Sequence, residues 1–172
     1  MPDLRNEIIF VCTANTCRSP MAAALFRHAL QAEEEPYRSL VVSSAGVSAY
    51  GGQDASANSV AALKKVGIDI SGHQSQAITQ QQVDQSLAFF CMTDTHLAML
   101  TYRIDPPPAN AFLMRQFMPE GSDPEIPDPF GMSLIHYESC RDSMVEAIPS
   151  LVQATKEIYY HINKTDTEEA GA

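Results

Sequence analysis

Short apolar runs alternate with stretches of helical period along most of the chain. Ile8-Ile9-Phe10-Val11 is continuous and largely β-branched, which predicts a central parallel strand buried on both faces. Leu40-Val41-Val42-Ser43, Leu87-Ala88-Phe89-Phe90-Cys91 and Ala111-Phe112-Leu113-Met114 predict three further strands. Between them lie helical stretches. Pro20, which needs no amide hydrogen in a first turn, opens one over Met21 to Gln31, with Leu25, Ala29 and Ala32 on one side. Asp54 to Val66 carries Val60, Leu63 and Val66 at helical spacing and meets Gly67 as its stop. Thr79 with Gln82 three residues on forms a capping-box pattern, and Thr93 caps a helix carrying Leu97 and Leu100.

Pro106-Pro107-Pro108 reads as a loop. Met118 to Phe130 contains Pro119, Pro124, Pro127 and Pro129 and cannot be a regular element; a long irregular loop in a compact domain is often functional. From Ser133 to about Ile162 the spacing of Leu134, Met144, Ile148, Leu151 and Ile158 is helical, with a kink or break expected at Pro149. Residues 163–172 are small and acidic and predict a disordered tail, which places the domain at 1–162. The alternation predicts a single α/β domain: a four-stranded parallel sheet flanked by helices and joined by right-handed crossovers. In such sheets ligands bind at the carboxyl ends of the strands.

Composition narrows the function. The 172 residues are 45% hydrophobic, a globular rather than a disordered balance. The formal net charge of -10 argues against nucleic acid or an anionic membrane as a partner, so an anion site has to be built locally. Four cysteines in this length do not make a disulfide scaffold. The first apolar run is far shorter than a signal-peptide core, and no run approaches a membrane span. The expectation is a soluble, cytoplasmic protein with reduced thiols.

The loop after the first strand carries the chemistry. Cys12 ends the strand; Thr13, Ala14, Asn15, Thr16 and Cys17 follow; Arg18, Ser19 and Pro20 start the helix. If the loop curls, its amides form an anion nest, the helix N-terminus adds partial positive charge, and Arg18 adds a fork for two phosphate oxygens. The same field favours a thiolate at Cys12. Ser19 reads as a helix cap, as a hydroxyl donor to the Cys12 sulfur, or as both. Asn15 suits a left-handed backbone angle. No Gly-Lys-Ser/Thr is present, which excludes a nucleotide-binding P-loop. Cys12 and Cys17 lack a second close pair, and Cys91 and Cys140 read as core residues, so no metal or cofactor is expected. His28, His96, His136 and His161 read as ordinary helix residues.

The run C-T-A-N-T-C-R-S-P from Cys12 to Pro20 resembles the signature of the low-molecular-weight protein tyrosine phosphatases. Ser44-Ala45-Gly46, the stretch Gly67 to His73, Met92 and Asp128-Pro129-Phe130 extend the resemblance over nearly the whole chain. Within the family the chain most resembles the bacterial protein arginine phosphatases, through Thr16 and the Asp-Pro-Phe-Gly run ending at Gly131. Two differences stand out: Ala14 occupies a position that is usually glycine, and Gln74-Ser75-Gln76 lacks the arginines frequent in tyrosine-type members.

The resemblance implies phosphoprotein substrates, inorganic phosphate as product and a phosphocysteine intermediate. Cys12 is the implied nucleophile, Arg18 and the loop hold the phosphoryl oxygens, and Asp128 is the acid. Asp123 is the rival acid; Asp128 is preferred because Phe130 follows and can form a pocket wall. Asn15 is implied to shape the loop through Ser44 and His73. Thr16, smaller than the aliphatic residue of tyrosine-type members, suits a polar phosphoguanidine. Cys17 is read either as a redox partner that captures oxidised Cys12 or as an inert buried thiol. Three alternatives remain: a phosphotyrosine phosphatase, an arsenate reductase and a non-catalytic phosphoprotein-binding module.

Overall fold

The four apolar runs form one parallel sheet of order β2-β1-β3-β4. The computed structural model describes residues 4–171. The strands are β1 (Glu7–Cys12), β2 (Val41–Gly46), β3 (Ala88–Cys91) and β4 (Ala111–Leu113). The helices are α1 (Arg18–Leu30), α2 (Ala57–Lys64), α3 (Gln80–Gln85), α4 (Asp94–Arg103) and α5 (Leu134–Ala170). Alternation within β1 divides the core between two faces. Ile8 and Phe10 pack with Met21 and Phe26 of α1, Leu63 of α2, and Met144 and Leu151 of α5. Ile9 and Val11 face the other way, against Val83 of α3 and Leu100 of α4. Because helices cover both faces, a continuous apolar run is the right code for β1. Phe10, Phe26 and Phe90 centre the larger cluster, with ring centroids 5.4 to 6.4 Å apart.

Several boundaries differ from the sequence reading, each for a local reason. β2 continues to Gly46 because Ser44, Ala45 and Gly46 pair in register with Phe10, Val11 and Cys12. α2 starts later, capped by Ser56, whose hydroxyl accepts from the Ser59 amide, and it ends at Lys64, so Val66 is left exposed. The capping box at Thr79 and the Thr93 cap both form. Pro149 does not end α5: Met144, Ala147, Leu151 and Ala154 are buried around it, and this packing holds the helix across the missing amide. Nor does the helix stop at 162, where the sequence reading places the tail. Asn163 is buried and bonds both backbone groups of Arg5, accepting from its N–H (3.0 Å) and donating to its carbonyl (3.2 Å). Lys164 and Glu168 face each other one turn on, and α5 runs to Ala170.

The carboxyl ends of the strands meet the loop from Cys12 to Arg18. Gly46, opposite Cys12 in the register, is the tightest point of that seat. A Cβ at Gly46 would lie 2.4 Å from the Thr13 carbonyl oxygen and 2.7 Å from the Ala49 Cβ. Glycine is therefore required there for close approach rather than for its backbone angle. Gly46→Ala is expected to cost about 1–3 kcal/mol by overpacking and to weaken anion binding by displacing the loop. Thermal melting and a phosphate titration check this; an unchanged Tm with unchanged affinity would show that the loop is not seated on Gly46.

Candidate active site

The loop between β1 and α1 is shaped by what its carbonyls do. The Cys12 carbonyl accepts from the Val47 amide (3.0 Å) and the Thr13 carbonyl from the Ser48 amide (3.0 Å). The Asn15 carbonyl accepts from His73 Nε2 (2.7 Å), and the Thr16 carbonyl from the Ser56 amide (2.8 Å). All four are tied outward to surrounding segments. In a trans peptide the next N–H points opposite to the carbonyl. The amides of Thr13, Ala14, Thr16 and Cys17 are therefore left on the inner side, which is the geometry of an anion nest. Cys17, at the N-cap of α1, makes no side-chain cap, so the first amides of the helix are not taken by it.

Asn15 closes the curl. It is fully buried and has φ 59°, the left-handed region, which among the described non-glycine residues it alone occupies. Its side-chain amide donates to Ser19 Oγ (2.7 Å) and Ser44 Oγ (2.9 Å), and its Oδ1 accepts from the Gln76 amide (2.9 Å). Because the Asn15 carbonyl can only accept, His73 Nε2 carries the proton. Ala14 is outside the left-handed region, so its Cβ is tolerated without strain. Ser19 Oγ, already accepting from Asn15, has its own hydrogen free for Cys12 Sγ at 2.9 Å. Ser19 thus lies inside α1 with its hydroxyl against the sulfur and is not the cap of the helix.

A cavity of about 210 Å³ opens over the loop, lined by Cys12, Thr13, Ala14, Thr16, Cys17 and Arg18 and by Asp128 and Phe130. Arg18, its side chain 5% exposed, donates from Nη1 to the Ile126 carbonyl (2.9 Å), and its Nη2 lies 3.7 Å from Asp128 Oδ2. The proline-rich loop is tethered just before Asp128: the Ile126 amide donates to the Met92 carbonyl, and the Cys140 thiol donates to the Pro127 carbonyl (3.3 Å). Beyond the tether the Asp128 side chain is 55% exposed, its Oδ1 accepting from the Phe130 amide. Asp123 is turned to its own loop, accepting from the Glu125 amide and, through its carbonyl, from Arg115, and it does not line the cavity. Phe130 borders the cavity but is largely exposed.

The other cysteines differ from Cys12. Cys17 is buried with its sulfur 3.6 Å from the Tyr137 hydroxyl. Cys91 lies wholly inside β3, where burial pushes its thiol up, and burial pushes the Cys140 thiol up to about 11. Two neighbours of the loop escaped the sequence reading. Tyr137, buried on α5, is pushed up to about 12, first by burial and then by the Cys17 contact. His96, read as an ordinary helix residue, is 2% exposed, and its Nε2 lies 2.9 Å from the Thr13 hydroxyl. Burial, reinforced by Arg18 and opposed by Asp128, lowers its pKa to about 4. The signal available in the sequence was the cap itself: a histidine three residues after Thr93, at the carboxyl end of the strand beside β1.

The sequence profile of the family described as low molecular weight phosphotyrosine protein phosphatase matches residues 7–160. The protein-arginine-phosphatase of Geobacillus stearothermophilus is 36% identical over 147 residues, covering 86% of this chain and 94% of that protein. The protein-arginine-phosphatase of Bacillus subtilis is 33% identical over 150 residues, covering 87% and 97%. A structure of YwlE arginine phosphatase with a phosphorylated active-site serine superposes with a TM-score of 0.76 at 31% identity, covering 87% of this chain and 95% of that one.

Proposed function

The chain belongs to the low molecular weight phosphotyrosine protein phosphatase family and is a protein phosphatase; from this premise we propose that it hydrolyses phosphoarginine in proteins, through a phosphocysteine at Cys12. In the first step the Cys12 sulfur attacks phosphorus in line as the bond from phosphorus to the guanidinium nitrogen breaks. Asp128 gives its proton to the departing nitrogen. Arg18 and the inward amides hold the three equatorial oxygens, where charge redistributes in the transition state. In the second step Asp128 takes a proton from water, the water oxygen attacks phosphorus, and the sulfur–phosphorus bond breaks to release inorganic phosphate. The Ser19 hydroxyl, 2.9 Å from the sulfur and able to donate to it, supports Cys12 as nucleophile and leaving group. The exposed Asp128 carboxylate on a tethered loop supports an acid that swings onto the leaving atom.

The observation that carries the substrate reading is Thr16, which lines the same cavity as Asp128. A hydroxyl-bearing wall with a carboxylate beside it suits a polar, planar guanidinium better than a phenyl ring. The relatives named as arginine phosphatases support the same choice. Phosphotyrosine is the second reading, favoured by the exposed ring of Phe130 at the cavity border. Arsenate reduction is disfavoured, because Cys91 and Cys140 are buried with raised pKa values. Cys17 lines the cavity with Cys12, which supports it as a rescuing thiol: peroxide takes the Cys12 thiolate to a sulfenic acid, and Cys17 condenses with it, releasing water. No described helix is long and apolar enough to cross a membrane.

Steady-state kinetics on matched phosphoarginine and phosphotyrosine peptides test the proposal. Thr16→Ile should lower the ratio of kcat/KM values, phosphoarginine over phosphotyrosine, by about tenfold or more; an unchanged ratio would remove Thr16 from substrate choice. Asp128→Asn should slow turnover by ~10²–10⁴-fold, the usual worth of a general acid, with Asp123→Asn close to wild type. The reverse pattern would move the acid to Asp123.

A further inference from the structure

We propose that His96 is a positioning residue for the phosphate loop, fixing the side chain of Thr13 from behind while it is itself clamped by Thr93. The proposal rests on the reading of the Cys12–Arg18 loop as the phosphate site. Thr13 directly follows the nucleophile and lines the cavity. Its main chain is set on one side, where its carbonyl accepts from the Ser48 amide and abuts Gly46. Its side chain is set on the other, where the hydroxyl meets His96 Nε2 at 2.9 Å. These two contacts come from different segments and together fix the rotation of the first turn of the loop. The inward direction of the Thr13 and Ala14 amides depends on that rotation.

The imidazole is built to hold still. His96 sits in the first turn of α4, directly after β3, and is almost wholly buried. Thr93 caps the same turn, accepting from the His96 amide at 3.4 Å, and its hydroxyl lies 3.2 Å from His96 Nδ1. A neutral imidazole has one ring donor and one ring acceptor, and a hydroxyl serves as either. One threonine therefore gives a hydrogen while the other takes one, and neither ring nitrogen is left unsatisfied. Held neutral by burial and by Arg18, the ring adds no charge to the anion site at neutral pH. Its contribution is geometric: it conveys the fixed position of β3 and α4 to the residue next to the sulfur.

The two ring nitrogens can be separated by substitution. His96→Asn keeps an amide near the Nδ1 position and so can retain the Thr93 contact, but it is too short for Thr13. His96→Gln places an amide near the Nε2 position and can restore the Thr13 contact. Calorimetric titration of the full chain with inorganic phosphate is the readout, with Thr13→Val testing the same bond from an exposed residue. His96→Asn and Thr13→Val are each expected to weaken phosphate binding about fivefold, the scale of one neutral hydrogen bond. The double variant should be no weaker than the weaker single, because both remove the same interaction. His96→Gln should stay within about twofold of wild type if one such bond is restored. Equal weakening by His96→Asn and His96→Gln, unchanged binding in Thr13→Val, or additive effects in the double variant would overturn the proposal and leave His96 as a packing residue. Failure of the wild-type protein to bind phosphate is a separate result: it would overturn the phosphate-loop reading itself, and this proposal with it.

Discussion

The outward tethering of the loop carbonyls is the constraint on which the site depends. An anion nest needs several successive amides pointing one way, and an untethered chain does not stay so arranged. Here Val47, Ser48, Ser56 and His73 each hold one carbonyl of the loop on its outer side. Asn15 supplies the one left-handed residue that lets the chain curl between them, and its side chain is saturated by Ser19, Ser44 and Gln76. The tethers come from the segment that follows β2, from the approach to α2 and, at His73, from the turn between α2 and α3, so the sheet register and the site are one structure. Missing Cβ volume at Gly46 is what allows β2 to reach the loop at all.

Charge follows from the same arrangement. The chain carries a net charge of -10, yet the floor of its cavity is the Cys12–Arg18 loop with one buried guanidinium, and the single carboxylate of its lining, Asp128, is turned largely to solvent. Positive potential is therefore local, made of backbone dipoles and Arg18. Arg18 spends one arm on the Ile126 carbonyl, which leaves part of its fork for a ligand and ties the loop that bears Asp128 to the Cys12–Arg18 loop. Burial favours the neutral forms of Cys91, Cys140 and His96, which keeps their charge out of this field.

What the sequence made legible was whatever is coded locally. The apolar runs announce the strands, Thr79 and Thr93 announce their helices, and the spacing from Cys12 to Arg18 announces the anion site. Asp128 was separable from Asp123 only through the aromatic that follows it, and the structure adds the reason why they differ in place: one lines the cavity and the other is used up in its own turn. The features that escaped are long-range. His96 meets Thr13 across 83 positions, Tyr137 meets Cys17 across 120, and Asn163 meets Arg5 across 158. None of these pairs has a spacing signal, because each exists only once the sheet and α5 are assembled. The same holds for α5 itself, which tertiary packing carries across Pro149 and beyond residue 162 against local expectation.

The central claim is that the loop binds the anion independently of the sulfur and that the sulfur does the chemistry. The most direct measurement is turnover together with phosphate affinity in Cys12→Ser. The account predicts that turnover of a phosphoarginine peptide falls by on the order of 10⁴-fold or more, while inorganic phosphate still binds close to wild type, because the tethered amides and Arg18 are untouched. Substantial turnover without the Cys12 thiol would contradict it.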